Sequence, residues 1–272
     1  MSEGESVEDE AWYVNSLARG LAVLLAFSER REAMSTSQIA EACGMSRAAA
    51  RRFLLTLEEL GYLRSVNNRF VLSVKALNLG YAYLSSTGVT DLIQPSLEKL
   101  TSDCGETCSL AILDDGEVVY IARTPTQRMI SLRVGIGSRI PAYASSLGKA
   151  ILAFLDEGEL RRVLSSIRLK RLTEHTITDQ AAFMDELQNV RRNGYAVTVS
   201  ELEYGVASIA VPILGSTGAV VAAVNVSTQA NMYDAGSLSE KFLGPLKSAK
   251  QQIEAALKAA PNFSLGLSQS TR

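Results

Sequence analysis

Along the first third of the chain, apolar positions recur at helical spacing in blocks separated by polar breaks. In NSLARGLAVLLAFSER, Leu17, Leu21, Leu24, Leu25 and Phe27 predict an amphipathic helix. The following block, STSQIAEACGMSRAAARRFLLTLEELGYL, holds two more. Ser35 and Gln38 have the spacing of a capping box, which starts the second helix. Gly44 stops it, because glycine enters the left-handed backbone at little cost. Ser46 caps a third helix that runs to about Leu60 and ends at Gly61, with Ala50, Phe53, Leu54 and Leu57 as its inward stripe. In YLRSVNNRFVLS, two short apolar runs flank Asn67-Asn68, a pair that tolerates the left-handed region, so a β-hairpin is predicted.

Two helices joined by a short glycine-containing turn make a helix-turn-helix, and the hairpin adds a wing. In such a motif the N-terminal half of the second helix enters the major groove. That half carries Ser46, Arg47, Ala48, Ala49, Arg51 and Arg52. Small alanines let the backbone approach, and arginines contact guanine edges or phosphates. Ser35 and Thr36 at the start of the preceding helix, and Arg69 at the wing, complete the candidate DNA-binding set. The competing reading is a helical bundle with merely exposed arginines; the order helix, short helix, glycine turn, helix, hairpin favours DNA.

The segment SVKALNLGYAYLSS predicts a linker helix over 75–88, with Leu77, Tyr81 and Leu84 on one face. That face either packs on its own domain or forms a dimer seam. A dimer that reads two half-sites needs a rigid element to set their spacing, which favours the seam.

Beyond Gly88 the pattern changes to hairpins flanked by helices. A helix is predicted over 91–104, then the hairpin TCSLAIL-DDG-EVVYIAR with its turn at Asp115-Gly116, then MISLRV as a short strand. Gly135, Gly137 and Pro141 mark a loop, followed by helices at Ser145–Leu155, 157–165 and 179–193. YAVTVS is a strand, VASIAVPIL and AVVAAVNVS pair across a GSTG turn, and a helix closes the domain over 234–259. Hairpins in place of βαβ repeats predict an α+β fold with an antiparallel sheet. The resulting division is an acidic disordered tail over 1–11, a winged helix-turn-helix domain over 12–74, the linker helix over 75–88, a second domain over 89–260 and a flexible tail over 261–272.

Charge sharpens this division. The net charge of −2 conceals five acids and no base in residues 1–11, nine Lys/Arg against five Asp/Glu in 12–75, and near balance after that. The local basic excess points to nucleic acid. The acidic start lacks the basic and apolar regions of a secretory signal, and no apolar run reaches the roughly 18 residues of a membrane span, so a cytoplasmic protein is expected. Cys43, Cys104 and Cys108 with a single histidine, His175, build neither a disulfide framework nor a metal site.

No catalytic constellation stands out. His175 has no activated serine or cysteine motif beside it, GIGSR lacks the strand-glycine-helix setting of a dinucleotide site, and Asp114 and Asp115 fall in a solvated turn. Glu201 and Glu203 precede a strand, where a structural or ligand-orienting role is expected in preference to acid-base work. The chain is therefore read as a non-enzyme without cofactor or metal. A site for a small anion is easier to argue. IPAYASSLGKAIL brings a loop into a helix near Ser145, whose first turn exposes free N–H groups. Ser145 and Ser146 are either simple caps or ligand donors. Ser208, Asn225 and Ser227 interrupt apolar strand runs and need partners, whether ligand, backbone or water. Leu132, Leu147, Ile209, Val220 and Ala222 would supply apolar walls.

With these motifs in place, the chain resembles the IclR family of bacterial regulators over about residues 12–260, and in particular its β-ketoadipate pathway members, the PcaR/PcaU/PobR group. YVNSLARGLAVLLAF, MSRAAARRFLLTLEELGYL, LNLGYAYLSS, IPAYASSLGKAILA and ELEYGVASIAVPI carry the resemblance. It implies a GAF-like effector-binding domain behind the winged helix, dimers or tetramers, operator DNA as partner, and control of aromatic-acid catabolism genes. It implies an effector such as protocatechuate, 4-hydroxybenzoate or a pathway intermediate. Family effector contacts map onto Ser146-Leu147 and onto the strand positions Ser208, Val220, Asn225 and Ser227. Some relatives bind zinc through cysteines and histidines; this sequence lacks that cluster. Two other functions stay open at this stage: a regulator whose second domain serves only oligomerisation, and an enzyme on the same scaffold.

Overall fold

The structure, a computed structural model, describes residues 12–29, 33–126 and 134–260. Both expected terminal tails, Leu132 and nearly all of the strand expected in MISLRV lie outside these residues. The chain divides into two compact units between Tyr83 and Leu84.

The first unit contains α1 (Asn15–Glu29), α2 (Thr36–Ala42), α3 (Arg47–Glu59) and a hairpin of β1 (Leu63–Val66) and β2 (Arg69–Leu72). The expected capping box is formed: Ser35 Oγ accepts from the Gln38 N–H, and Gln38 Oε1 accepts from the Ser35 N–H. Gly44 adopts φ +60° at the turn into α3. Asn67 and Asn68 hold φ of 52° and 59°, the left-handed pair of a two-residue hairpin. Val23, Phe27, Met34, Ile39, Leu54, Leu63 and Phe70 form the core. The apolar stripe expected on α1 is corrected here. Leu17, Leu21 and Leu25 are 63%, 47% and 67% exposed, while Val23 and Phe27 are buried. The helix turns the edge that carries Val23 and Phe27 inward.

A 3-10 turn over Val74–Ala76 leads into α4 (Leu77–Thr87), which contains the unit boundary. Leu77, Leu79 and Tyr81 are exposed on it.

The second unit is built on a six-stranded sheet: β3 (Thr107–Asp114), β4 (Glu117–Thr124), β5 (Arg139–Pro141), β6 (Ala196–Val199), β7 (Val206–Leu214) and β8 (Val220–Gln229). Its order is β5-β4-β3-β8-β7-β6, and every adjacent pair is antiparallel. The α+β expectation is met. The helices are α5 (Val89–Cys104), α6 (Ser146–Leu152), α7 (Glu157–Ser166), α8 (Gln180–Asn193) and α9 (Ala235–Ala259). One core lies between the sheet and α5 with α9, and includes Leu97, Ile209, Ala222, Val224 and Phe242. The other lies between the opposite face and α6 with α8, and includes Ala111, Tyr120, Leu147, Phe183, Ala210 and Ala223. Because both faces are covered, β7 and β8 are almost wholly buried and read as continuous apolar runs.

Two local expectations change. Part of the loop before α6 pairs as β5, where Arg139 is held by Asp114 and Glu117, each at 2.7 Å, so Asp114 is not simply solvated. Helix α6 is also shorter than expected, ending at Leu152. A bent 3-10 turn over Ala142–Ala144 precedes it.

Candidate DNA-reading helix and ligand cavity

In the first unit, Ser46 Oγ accepts from the Ala49 N–H at 3.2 Å and so caps α3. Arg47, Ala48, Arg51 and Arg52 follow within its first two turns, all exposed, with Ala49 half-buried. The spacings 47/51 and 48/52 bring the residues of each pair onto neighbouring positions of one face. The inward side is buried at Ala50, Leu54 and Leu57. Ser35 and Thr36, at the start of α2, are half-buried, and the Ser35 hydroxyl is engaged in its cap. Arg69 is exposed, but its Nη1 donates to the Ala33 carbonyl at 3.0 Å, which ties the wing back to the strand-like contact between Met34 and Phe70. The β1–β2 register puts Arg64 on the same outward face of the wing as Arg69. Arg64 is exposed and was missed in the sequence because only the strand pairing shows which way it faces.

In the second unit, six of the residues expected at a ligand site meet around one cavity. Ser145, Ser146 and Leu147 from the start of α6 face Ser208 on β7 and Asn225 and Ser227 on β8, around a narrow cavity of about 20 Å³, partly open to solvent. Ser146 Oγ lies 2.7 Å from Ser208 Oγ. Asn225 Nδ2 donates to Ser208 Oγ and to Ser227 Oγ, both at 2.9 Å. Ser145 is spent locally: its Oγ accepts from the Gly148 N–H at 3.0 Å as the cap of α6. The arrangement follows from strand alternation. Ser208 and Ala210 on β7, with Asn225 and Ala223 on β8, share the face toward α6.

The same alternation corrects three expected wall residues. Ile209 and Ala222 point to the opposite face and pack with α5 and α9, so they cannot line this cavity. Val220 is on the α6 side but sits at the far end of β8, away from the lining. Tyr120 and Thr198 line the cavity and were not expected there; Glu201, expected in a structural or ligand-orienting role, lines it as well.

Glu201 is the notable addition. Its Oε1 is 2.6 Å from Lys149 Nζ, and Lys149 is fully buried on α6. Glu186 on α8 lies 3.6 Å from the same ammonium. Burial pushes the Glu201 carboxyl above its ordinary value, with Lys149 pulling it back. Across the sheet from the cavity, Ser109 on β3 stands directly opposite both Asn225 and Arg123 on β4. Arg123 Nη1 donates to Ser109 Oγ at 3.3 Å. No carboxylate among the described residues pairs with Arg123, and burial lowers its pKa from the usual guanidinium value.

A larger hollow of about 330 Å³ opens beside Leu164, Arg168 and Phe183. Its lining contains none of the buried polar atoms that lack partners among the described residues, whereas Glu201 and Asn225 of the smaller cavity each carry one. Among the described residues, no group of three or more His, Cys, Asp or Glu could hold a metal, and no helix is long and apolar enough to cross a membrane.

Comparison with known proteins agrees with this geometry. The IclR helix-turn-helix domain matches residues 16–66, and the bacterial transcriptional regulator IclR C-terminal domain matches residues 81–255. The chain is 40% identical to the Pca regulon regulatory protein of Pseudomonas putida over 242 residues, 89% of this chain and 83% of that protein. It is 37% identical to the p-hydroxybenzoate hydroxylase transcriptional activator of Acinetobacter baylyi, over 89% of this chain and 91% of the relative. A crystal structure of an IclR homolog from Microbacterium hydrocarbonoxydans in complex with 4-hydroxybenzoate superposes with TM-score 0.77 at 26% identity, covering 90% of this chain and all of that one.

Proposed function

The chain belongs to the IclR family of bacterial transcriptional regulators, and from that premise we propose that it binds operator DNA through α3 and responds to a small aromatic carboxylate that the narrow cavity beneath α6 widens to admit. It is a transcriptional regulator and not an enzyme, as are its relatives. The observation that carries the effector reading is the polar cluster of buried Ser146, Ser208 and Asn225 with half-buried Ser227, which lines the cavity beneath α6. The four bond one another, but Asn225 Oδ1 has no hydrogen-bond partner among the described residues and leaves an acceptor for a ligand donor. Two relatives named for the Pca regulon and for p-hydroxybenzoate hydroxylase, with a homolog that holds 4-hydroxybenzoate, support an aromatic acid and control of aromatic-acid catabolism genes.

The protein works as a dimer or a higher assembly in the cytoplasm, where the exposed leucines of α1 and the exposed Leu77 and Tyr81 of α4 offer apolar surface for self-association. Two recognition helices then read two half-sites, and the effector shifts the population of dimer geometries that sets their spacing. The domain limits, residues 12–74, 75–88 and 89–260, follow from this division of labour.

Gel shift on DNA from upstream of the protein's own gene, with and without protocatechuate and 4-hydroxybenzoate, tests the whole reading. Specific binding altered by one acid supports both halves. Specific binding indifferent to every aromatic acid leaves a regulator whose second unit serves assembly only. Absence of specific binding at moderate salt removes the assignment of α3.

A further inference from the structure

Three buried side-chain oxygens have no hydrogen-bond partner among the described residues: Glu201 Oε2, Asn225 Oδ1 and Thr228 Oγ1. Two of these three residues, Glu201 and Asn225, line the ligand cavity. An acceptor buried without a donor carries its full desolvation cost, and native proteins keep such atoms mainly where something else supplies the donor.

Glu201 is held in place deliberately. Ser200 before it adopts φ +57°, a conformation that a non-glycine residue keeps only when its surroundings enforce it. Here they do. The Ser200 N–H donates to Val206 O at 2.8 Å, Thr173 Oγ1 donates to Ser200 O at 2.6 Å, and Thr176 Oγ1 donates to Glu201 O at 2.7 Å. Lys149 then takes one carboxylate oxygen at 2.6 Å and fixes the direction of the side chain. The other oxygen is left buried beside the cavity with no donor from the described residues.

We propose that Glu201 is a specificity-determining residue: it accepts a hydrogen bond from a hydroxyl of the effector and so selects hydroxylated acids over their unhydroxylated counterparts. This inference rests on the reading of the cavity as the effector site. It also orients the ligand. A carboxylate placed against Glu201 would bring like charges together in a buried site, so the acid end points away. Along the same sheet face the register leads from Asn225 through Ser109 to Arg123, a cation without a carboxylate partner among the described residues. A second hydroxyl on the ligand would meet Asn225 Oδ1.

The test is calorimetric titration of the full-length protein with matched pairs, 3- and 4-hydroxybenzoate against 3- and 4-fluorobenzoate. Fluorine keeps the size and the carboxylate but cannot donate. The wild type is expected to prefer a hydroxy acid over its fluoro partner by about tenfold, the scale of one hydrogen bond to a charged acceptor. In Glu201→Gln that preference shrinks toward unity, with hydroxy-acid affinity falling more than fluoro-acid affinity. A wild type that binds both members of every pair within twofold overturns the inference, whether or not the variant folds. A variant that loses both members equally assigns Glu201 a structural role and overturns it too. If the wild type binds none of the four acids, the cavity reading itself fails, and the inference with it.

Discussion

A Cβ atom on Gly148 would lie 2.1 Å from the carbonyl oxygen of Ala142. The first turn of α6 therefore rests directly on the 3-10 turn that precedes it, backbone against backbone. This close approach brings Ser146 within hydrogen-bonding distance of Ser208, a residue 62 positions away. The ligand cavity is built around that contact.

Gly148→Ala is accordingly expected to be among the most damaging single-methyl substitutions in the chain. The obstructing atoms are main chain and cannot swing aside, so the cost should reach about 3 kcal/mol or more, the upper part of the range for overpacking. Urea denaturation of the purified protein measures it. An effect below about 1 kcal/mol would mean that α6 can lift without penalty.

Lys149 is fully buried and bonded to Glu201. Removing it alone, as Lys149→Met, strands a buried carboxylate and should destabilise the second unit by roughly 3–5 kcal/mol. Adding Glu201→Leu should recover much of that loss, because the buried carboxylate is then gone and only the partly exposed Glu186 remains nearby. Additive losses in the double variant would show that the pair is not coupled.

On α3, Arg47→Ala and Arg51→Ala should each weaken operator binding by about tenfold or more if the arginine contacts a base, and should relax specificity at one position. A phosphate contact would instead weaken binding uniformly and reduce the salt slope by about one. Arg69→Ala should matter less than either, since its guanidinium is already engaged with Ala33. Fluorescence anisotropy over a salt series separates these outcomes.

The three thiols should differ in reactivity. The neighbouring Cys108 thiol lowers the pKa of Cys104, whereas the neighbouring Cys104 and then burial raise that of Cys108, and burial raises that of Cys43. Cys104 therefore keeps more thiolate as pH falls below the ordinary thiol range. Iodoacetamide at pH 7–8 should label Cys104 ahead of Cys43 and Cys108, as followed by peptide mass spectrometry. Equal labelling would mean that Cys108 does not favour the Cys104 thiolate in solution.

Local signals translated directly into structure. The Ser35/Gln38 capping box, the Ser46 cap, the left-handed turn at Gly44 and the Asn67-Asn68 hairpin each depend on residues within three or four positions of one another. The pairing of β7 with β8 was equally plain from two apolar runs around a glycine turn. The orientation of α1 was not. That helix carries two apolar edges, and only packing against α3 decides that Val23 and Phe27 are inside while Leu17, Leu21 and Leu25 remain outside.

The sequence by itself determined most of the helices and strands (though not β5 or the end of α6), the winged helix-turn-helix with its arginines on α3, and the positions Ser208, Asn225 and Ser227 as polar residues in apolar strands. Those properties are set by backbone preference and by spacing along the chain. Tertiary structure alone decided which of them meet. It sent Ile209 and Ala222 to the opposite core from Ser208 and Asn225, because neighbouring strand residues face opposite ways once the register is set. It also joined Lys149 to Glu201 across 52 residues and lined up Arg123 with Ser109 and Asn225. Contacts of that kind depend on strand order and helix docking, and no pattern of neighbours along the chain encodes them.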